Sequence, residues 1–302
     1  MKALRFHSYG GPEVLVFDEV PVPEPAAGQV LVKVSGSGVN PIDWKVREGL
    51  FALPLPCTVG YDFSGVVEKL GEGVTAFAVG DEVYGYSDAG TCAEYTVCAD
   101  TAMAKKPVSM DLPDAAAIPV GAMTAYQALF EKGDVKNGDR VVILAASGGV
   151  GTFAVQLAKW KGAYVIATAS AANAKLLQDI GADEILDYHT KPFETHTSNV
   201  DFVLDTLGKD NVLKALSVLK PGGTVVSLAP LPKDIEEAAQ GKHAVNLGMQ
   251  PKREQLEQIA NLIEDLKVLP VIDTVVRFDE AIEVQKEIQT GHTVGKLVVR
   301  VS

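Results

Sequence analysis

Apolar runs alternate with amphipathic stretches through the second half of the chain. VVILAA (141–146) leads into a glycine-rich turn and then a helical pattern over about 150–161. YVIATA (164–169) follows, then a helix over about 172–180 that Gly181 should stop. DEILDY (183–188) reads as a short strand and VDFVLDTLG (200–208) as a buried one. The helical stretch NVLKALSVL (211–219), a PGG turn and the strand TVVSLA (224–229) complete the series. Strand–helix alternation of this kind predicts a mostly parallel sheet covered on both faces.

The first 120 residues are patterned differently. Short strands are separated by Gly and Pro: MKALRF, VLVFDEV, QVLVKVSGSGV, DFSGVVEKLGEG, AVGDEVYGY and AEYTVCA. In the third, Leu31 and Lys33 share one face and Val30, Val32 and Val34 the other. Many short strands with such breaks suggest an irregular barrel, while EVPVPEPAAG (19–28) is too proline-rich for a central strand. DAAAIPVGAMTAYQALFEKG (114–133) reads as helix interrupted by Pro119. Residues 230–251 read as loop, apart from a short helical stretch, DIEEAAQ. REQLEQIANLIEDLKV (253–268) carries one apolar stripe, Leu256, Ile259, Leu262, Ile263 and Leu266. The tail returns to strand, helix and strand. It is too short to bury a core alone, so its last strand, GKLVVRV, is expected to rejoin the first domain.

Composition narrows the classes. At 302 residues, 47% hydrophobic and net charge -12, the chain reads as a two-domain globular protein that repels nucleic acid. A local nest of amides can still hold an anionic cofactor. The opening MKALRFHSYGG has no long apolar run, and no stretch is long enough to cross a bilayer, so a cytoplasmic protein without membrane partners is expected. Cys57, Cys92 and Cys98 are expected as reduced, mostly buried thiols, and the five histidines form no ligand pair, so no metal site is expected.

The candidate chemistry starts in the glycine turn: Ala146, Ser147, Gly148, Gly149, Val150, Gly151. The pattern is AxGxxG. Gly148 and Gly149 are expected to take a tight turn with positive φ and admit a pyrophosphate, while Gly151 lets the helix lie against the strand. The helix N-terminus then offers N–H groups and a favourable field. With a strand on each side and the helix between them, this is a dinucleotide site. The second strand ends in Thr168, Ala169, Ser170, Ala171, with no carboxylate to repel a 2′-phosphate. NADPH is therefore expected over NADH: Ser170 can donate a hydrogen bond, Lys175 can neutralise charge, and Tyr188 can reach the adenosine edge.

On these motifs the chain resembles the medium-chain dehydrogenase/reductase superfamily, in its zinc-free quinone oxidoreductase, zeta-crystallin-like branch. The likeness runs from MKALRFHSYGGPEVL and VLVKVSGSGVNPIDWKVREG (30–49) through VGYDFSGVVEKLGEGVTAFAVGDEVYG (59–85) and AIPVGAMTAYQAL (117–129). It continues through the nucleotide turn, GADEILDY, VDFVLDTLG and LKPGGTVVSLA to GHTVGKLVV (291–299). The resemblance implies an α/β protein with a GroES-like irregular β-barrel domain (1–120, completed by 268–302), a Rossmann-type parallel-sheet domain (121–267), and an active cleft between them. Zinc members carry a Cys near the GVNPID segment and a His-Glu pair after the next glycine. Here Asn40 stands at the first place, and Gly60 is followed by Tyr61-Asp62. Without a Lewis acid, a quinone or the activated C=C bond of an enone or enal is the expected substrate.

At these positions Asn40 could meet a ribose or substrate oxygen or cap its turn, Asp43 could hold its loop or a ribose, Tyr61 could orient a carbonyl or pack as an aromatic, and Trp44 could wall a flat ring or pack in the core. Thr124 would lie near the nicotinamide, with backbone groups of Leu228 and Ala229 at the carboxamide. A homodimer is expected through an exposed edge of the nucleotide sheet. Two alternatives stay open. One is a non-catalytic NADPH-binding sensor or structural protein. The other is an acyl-chain enoyl reductase, which would need a long apolar channel.

Overall fold

Period-2 apolar patterning sets the first unit, residues 1–123, 251–266 and 270–302. The computed structural model describes residues 1–208 and 210–302. Strands β1 (Lys2–Phe6), β2 (Leu15–Glu19), β3 (Gln29–Val39), β4 (Cys57–Thr58), β5 (Asp62–Leu70), β6 (Glu82–Tyr86), β7 (Tyr95–Ala99) and β8 (Met103–Lys105) carry its front part, with helix α1 (Pro41–Arg47) after β3. β2, β1 and β4 form one antiparallel sheet. β3 is the spine of the other, pairing antiparallel with both β5 and β7.

The SGSG segment of β3 has a packing purpose. A Cβ on Gly36 would fall 2.1 Å from the Pro113 carbonyl oxygen, and one on Gly38 would fall 2.2 Å from that of Ala116. These glycines let the 3₁₀ turn Pro113–Ala117 lie directly on the strand. Helix α2 (Pro119–Tyr126) begins two residues later and runs into a π-helical turn, Gln127–Lys132. The helical reading of 114–133 thus becomes three helical forms in succession.

The second unit spans 124–250 and 267–269. It contains β9 (Arg140–Ile143), α3 (Gly151–Lys161), β10 (Tyr164–Ala169), α4 (Ala174–Asp179), β11 (Glu184–Asp187), α5 (Phe193–His196), β12 (Val200–Asp205), α6 (Asn211–Val218), β13 (Leu219–Ser227), α7 (Ile235–Ala239) and β14 (His243–Asn246). Among the described residues the strands form one six-stranded parallel sheet in the order β11-β10-β9-β12-β13-β14. Its core is Val142, Ile166, Val203 and Val225, closed by Val212, Ala215 and Leu216 of α6. Strand β14 falls in the stretch read from sequence as loop. Only four residues long, with exposed His243 and Asn246 at its ends, it gives almost no periodic signal.

Helix α8 (Arg253–Glu264) also departs from the expected boundary. It counts with the first unit, not with a Rossmann segment ending at 267. Its stripe of Leu256, Ile259, Leu262 and Ile263 is buried, and the helix packs on β8. Tyr84 donates its phenol hydrogen to the Leu256 carbonyl at 2.6 Å, and Arg253 pairs with Asp100 at 3.0 Å. Strand β15 (Ile272–Arg277), helix α9 (Ala281–Gln289) and strand β16 (Lys296–Arg300) end the chain, and β16 pairs antiparallel with β3. The last strand thus rejoins the first unit, in the sheet of β3. Among the described residues no helix is long and apolar enough to cross a membrane.

Replacing Gly38 by Ala should destabilise the protein by about 1–3 kcal/mol, because its Cβ meets backbone that cannot turn aside. Chemical denaturation of the variant checks this, and an unchanged midpoint would contradict the packing assigned to β3.

Candidate functional site

Two groups of residues carry chemistry, one in each unit. In the second unit, β9 ends in a turn whose left-handed residue is Ala145, at φ 49°. This corrects the expectation of positive φ at Gly148 and Gly149, since neither lies in that region. The bend comes early, where the N–H of Gly148 bonds the Ala145 carbonyl at 3.0 Å. Thr168 of β10 fixes the same corner: its hydroxyl accepts from the Ala145 N–H at 3.2 Å, and its carbonyl from the Ala146 N–H at 2.9 Å.

Gly151 has the role expected of it. A Cβ there would sit 2.5 Å from the Ala145 carbonyl oxygen and 2.6 Å from the Ala146 Cα. Only glycine lets the first turn of α3 start against the strand. The N–H groups of Val150 and Gly151 have no acceptor among the described residues, and the buried Thr152 hydroxyl is unpartnered. Open donors at a helix N-terminus fit a diphosphate.

The ribose-end candidates gather around this turn. Ser170 caps the 3₁₀ turn Ala171–Asn173, and the Asn173 amide donates to the Ser147 hydroxyl at 3.0 Å. Tyr188 follows β11, with its N–H on the Ala169 carbonyl at 3.3 Å, its ring half-exposed and in contact with His189. Lys175 is exposed and paired with Asp179 one turn on. After β13, the Leu228 N–H bonds the Asp205 carbonyl and the Ala229 N–H bonds the Ser227 hydroxyl. Asn246 of β14 donates to the Ala229 carbonyl at 2.7 Å. Both N–H groups and the Ala229 carbonyl are thus engaged within the fold. Thr124 lies buried on α2.

In the first unit, Asn40 stands between β3 and α1, and both polar atoms of its side chain are hydrogen-bonded. Its Nδ2 donates to Asp62 Oδ2 at 2.8 Å, and its Oδ1 accepts from Lys296 Nζ at 2.5 Å. Lys296 also bonds Asp62 Oδ2 at 3.0 Å, and Asp62 Oδ1 accepts the Val120 N–H at 2.7 Å. Asn40, Asp62 and Lys296 are all buried. Asn40 is thus the neutral member of a buried ion-pair cluster.

Asp43 accepts the Asn40 N–H at 2.9 Å and so holds its own loop, the first of the two roles expected of it. Its other oxygen is buried without a partner. Burial pushes its carboxyl up to about 7; the Asn40 amide, Gln285 and Lys296 counter this, and the Asp62 charge adds to it. Tyr61 stacks on Tyr86 with ring centres 5.6 Å apart, and Tyr86 donates to Asp88 at 2.5 Å. Burial raises the Tyr61 phenol, which therefore stays protonated and can donate a hydrogen bond. Trp44 packs against the core of Leu4, Phe6 and Val284.

Asp62 and Lys296 are the important members that sequence reasoning passed over. The one available signal was a lysine opening the apolar run GKLVV. Burial raises the thiols of Cys92 and Cys98, so both stay protonated. The residues at the zinc positions do not fit zinc. They offer an amide, a stacked phenol and a carboxylate whose two oxygens are engaged, and among the described residues no group of three or more His, Cys, Asp or Glu could hold a metal.

An ionised Asp43 costs the fold, and its carboxyl is raised relative to the unfolded chain. Stability should therefore fall as pH rises from about 4 to 7. Asp43→Asn should remove that slope, with a larger gain in melting temperature at pH 8 than at pH 5. Equal gains at both would contradict the burial of a titrating carboxyl.

Residues 26–136 match the family described as alcohol dehydrogenase GroES-like domain, and residues 180–299 match zinc-binding dehydrogenase. The chain is 34% identical to the chloroplast envelope quinone oxidoreductase homolog of Arabidopsis thaliana, over 99% of this chain and 98% of the relative. It is also 34% identical to the NADPH-dependent alkenal/one oxidoreductase, chloroplastic, of the same plant, over 99% and 79%. Among solved structures, the quinone oxidoreductase from Coxiella burnetii superposes with a TM-score of 0.94 at 36% identity, covering 100% of this chain and 99% of that one. With its two-unit architecture, glycine turn and metal-free donor set, this chain belongs to the medium-chain dehydrogenase/reductase superfamily, in the quinone oxidoreductase branch.

Proposed function

We propose that the protein is an NADPH-dependent, zinc-independent reductase of quinones or of the activated C=C bond of enones and enals. The observation that carries this is the turn at Ser147–Gly151, where Gly151 admits the helix end against β9 and leaves the Val150 and Gly151 amides open. The names of the relatives agree: one is a quinone oxidoreductase homolog, the other NADPH-dependent and acting on an alkenal/one. Bound here, the nicotinamide would supply a hydride to an electron-poor carbon or quinone ring.

The chain's own contribution is binding and orientation. The turn amides and the field of α3 hold the diphosphate. Ser170 and Lys175 follow the carboxylate-free end of β10 and Tyr188 follows β11, and this is where the 2′-phosphate would lie; Lys175 would exchange its Asp179 partner for it. Tyr61, held protonated and stacked, offers a phenol hydrogen to a carbonyl oxygen as charge develops there. Asp62 and Lys296 neutralise each other within the buried cluster. The rate then rests on positioning rather than on a strong acid. A homodimer joined along an outer edge of the nucleotide sheet belongs to the same reading, since β14 has a neighbour on one side only.

NADPH oxidation assayed against a quinone, an enal, an enone and an alcohol, with and without chelator, should show turnover of the first three that chelation leaves intact. Turnover of the alcohol alone, or none at all, overturns the reading. Gly149→Asp should abolish NADPH binding by setting a carboxylate where the diphosphate sits. Light scattering should give twice the chain mass of 32.0 kDa.

A further inference from the structure

The proposed cofactor site contains one side-chain link that the fold does not require. Asn173 stands at the end of the 3₁₀ turn after β10, and Ser147 in the turn after β9. They are 26 residues apart, and the Asn173 Nδ2 donates to the Ser147 Oγ at 3.0 Å. Both are partly buried. Backbone bonds already fix each segment by itself: the Asn173 N–H bonds the Ser170 carbonyl, and Ala145 and Ala146 are tied to Thr168. The side-chain bond joins the two turns where both are half-open to solvent.

Its polarity matters. A serine hydroxyl that accepts from an amide keeps its own hydrogen for another acceptor. That hydrogen belongs to the residue that opens the glycine turn, next to the open amides of Val150 and Gly151. A neutral amide at position 173 gives this orientation without placing negative charge beside an anion. A carboxylate there would instead draw the hydroxyl hydrogen to itself.

We propose that Asn173 is a positioning residue for the cofactor diphosphate, acting through Ser147. It orients the hydroxyl hydrogen toward a diphosphate oxygen and locks the ribose-end turn to the phosphate turn. This rests on the turn being a dinucleotide site. It adds that one link serves NADPH and NADH alike and so contributes to grip rather than to the choice between them.

Titration calorimetry on the full chain separates these roles with three probes: NADPH, ADP and adenosine 2′-monophosphate, which lacks the diphosphate. Asn173→Ala should weaken NADPH and ADP by a common factor of about five to ten and leave adenosine 2′-monophosphate unchanged. Asn173→Asp, which keeps the size, should lose more. In a Ser147→Ala background Asn173→Ala should have no further effect, because the hydroxyl it orients is gone. The proposal is overturned if the variant binds ADP like the parent, if its loss adds to that of Ser147→Ala, or if the loss is confined to the two ligands with a 2′-phosphate. A parent protein that binds none of the three overturns the dinucleotide reading itself, a different result from any of these.

Discussion

The approach of Gly151 to the end of β9 is the contact on which the proposed chemistry depends. Helix α3 can begin there only because no Cβ stands between its first turn and the Ala145 and Ala146 backbone. The position of the helix end decides where its unpaired amides lie. Those amides decide where a doubly charged linker can rest, and with it the two rings at its ends. Thr168 contributes from the neighbouring strand by bonding Ala145 and Ala146 and holding the corner at a fixed height above the sheet. A loop of this composition without that corner would be flexible and would lose entropy on binding.

The first unit meets a different constraint. Zinc relatives hold a dication where this chain has Asn40, Tyr61 and Asp62, and here the charge at that place is balanced internally. Lys296 supplies the cation, Asp62 the anion, and Asn40 fills the remaining bonds. Burying such a pair carries a large desolvation cost that only full hydrogen bonding offsets. Asp62 meets that condition, with the Val120 amide on its second oxygen. Asp43 does not; one of its oxygens is unpartnered and its carboxyl holds a proton more readily than usual. The two carboxylates thus differ in role, one neutralised by a lysine and one by its own proton. The branch thus fits substrates that need orientation more than polarisation.

Much of this was legible in the chain because it is local. The glycine turn, the helix after it and the alternating apolar strands are each set by neighbours within a few residues, and they fall where the pattern puts them. Other features depend on distant partners. Lys296 and Asp62 lie 234 residues apart, and only the lysine at the head of the apolar run GKLVV hints at the pair. Strand β14 exists because β13 offers it an edge; by itself HAVN has neither length nor periodicity. The stripe of α8 was readable, but not the surface that takes it, since Tyr84 and Asp100 belong to a segment more than 150 residues earlier. The hydrogen-bonding state of Asn40 likewise follows from β16 and β5 rather than from its own loop.

The return of β16 to β3 has a consequence for biosynthesis. A ribosome delivers the whole of 124–250 before it delivers Lys296, so the parallel sheet can assemble during translation with its strands complete. The other sheet must wait for residues 296–300. Until they are delivered, the Gly36–Val39 end of β3 lacks a neighbour on one side and Asp62 lacks its counter-ion. A nascent chain stalled short of residue 296 therefore exposes an open strand edge and an unpaired buried carboxylate, features by which quality control can recognise it as unfinished.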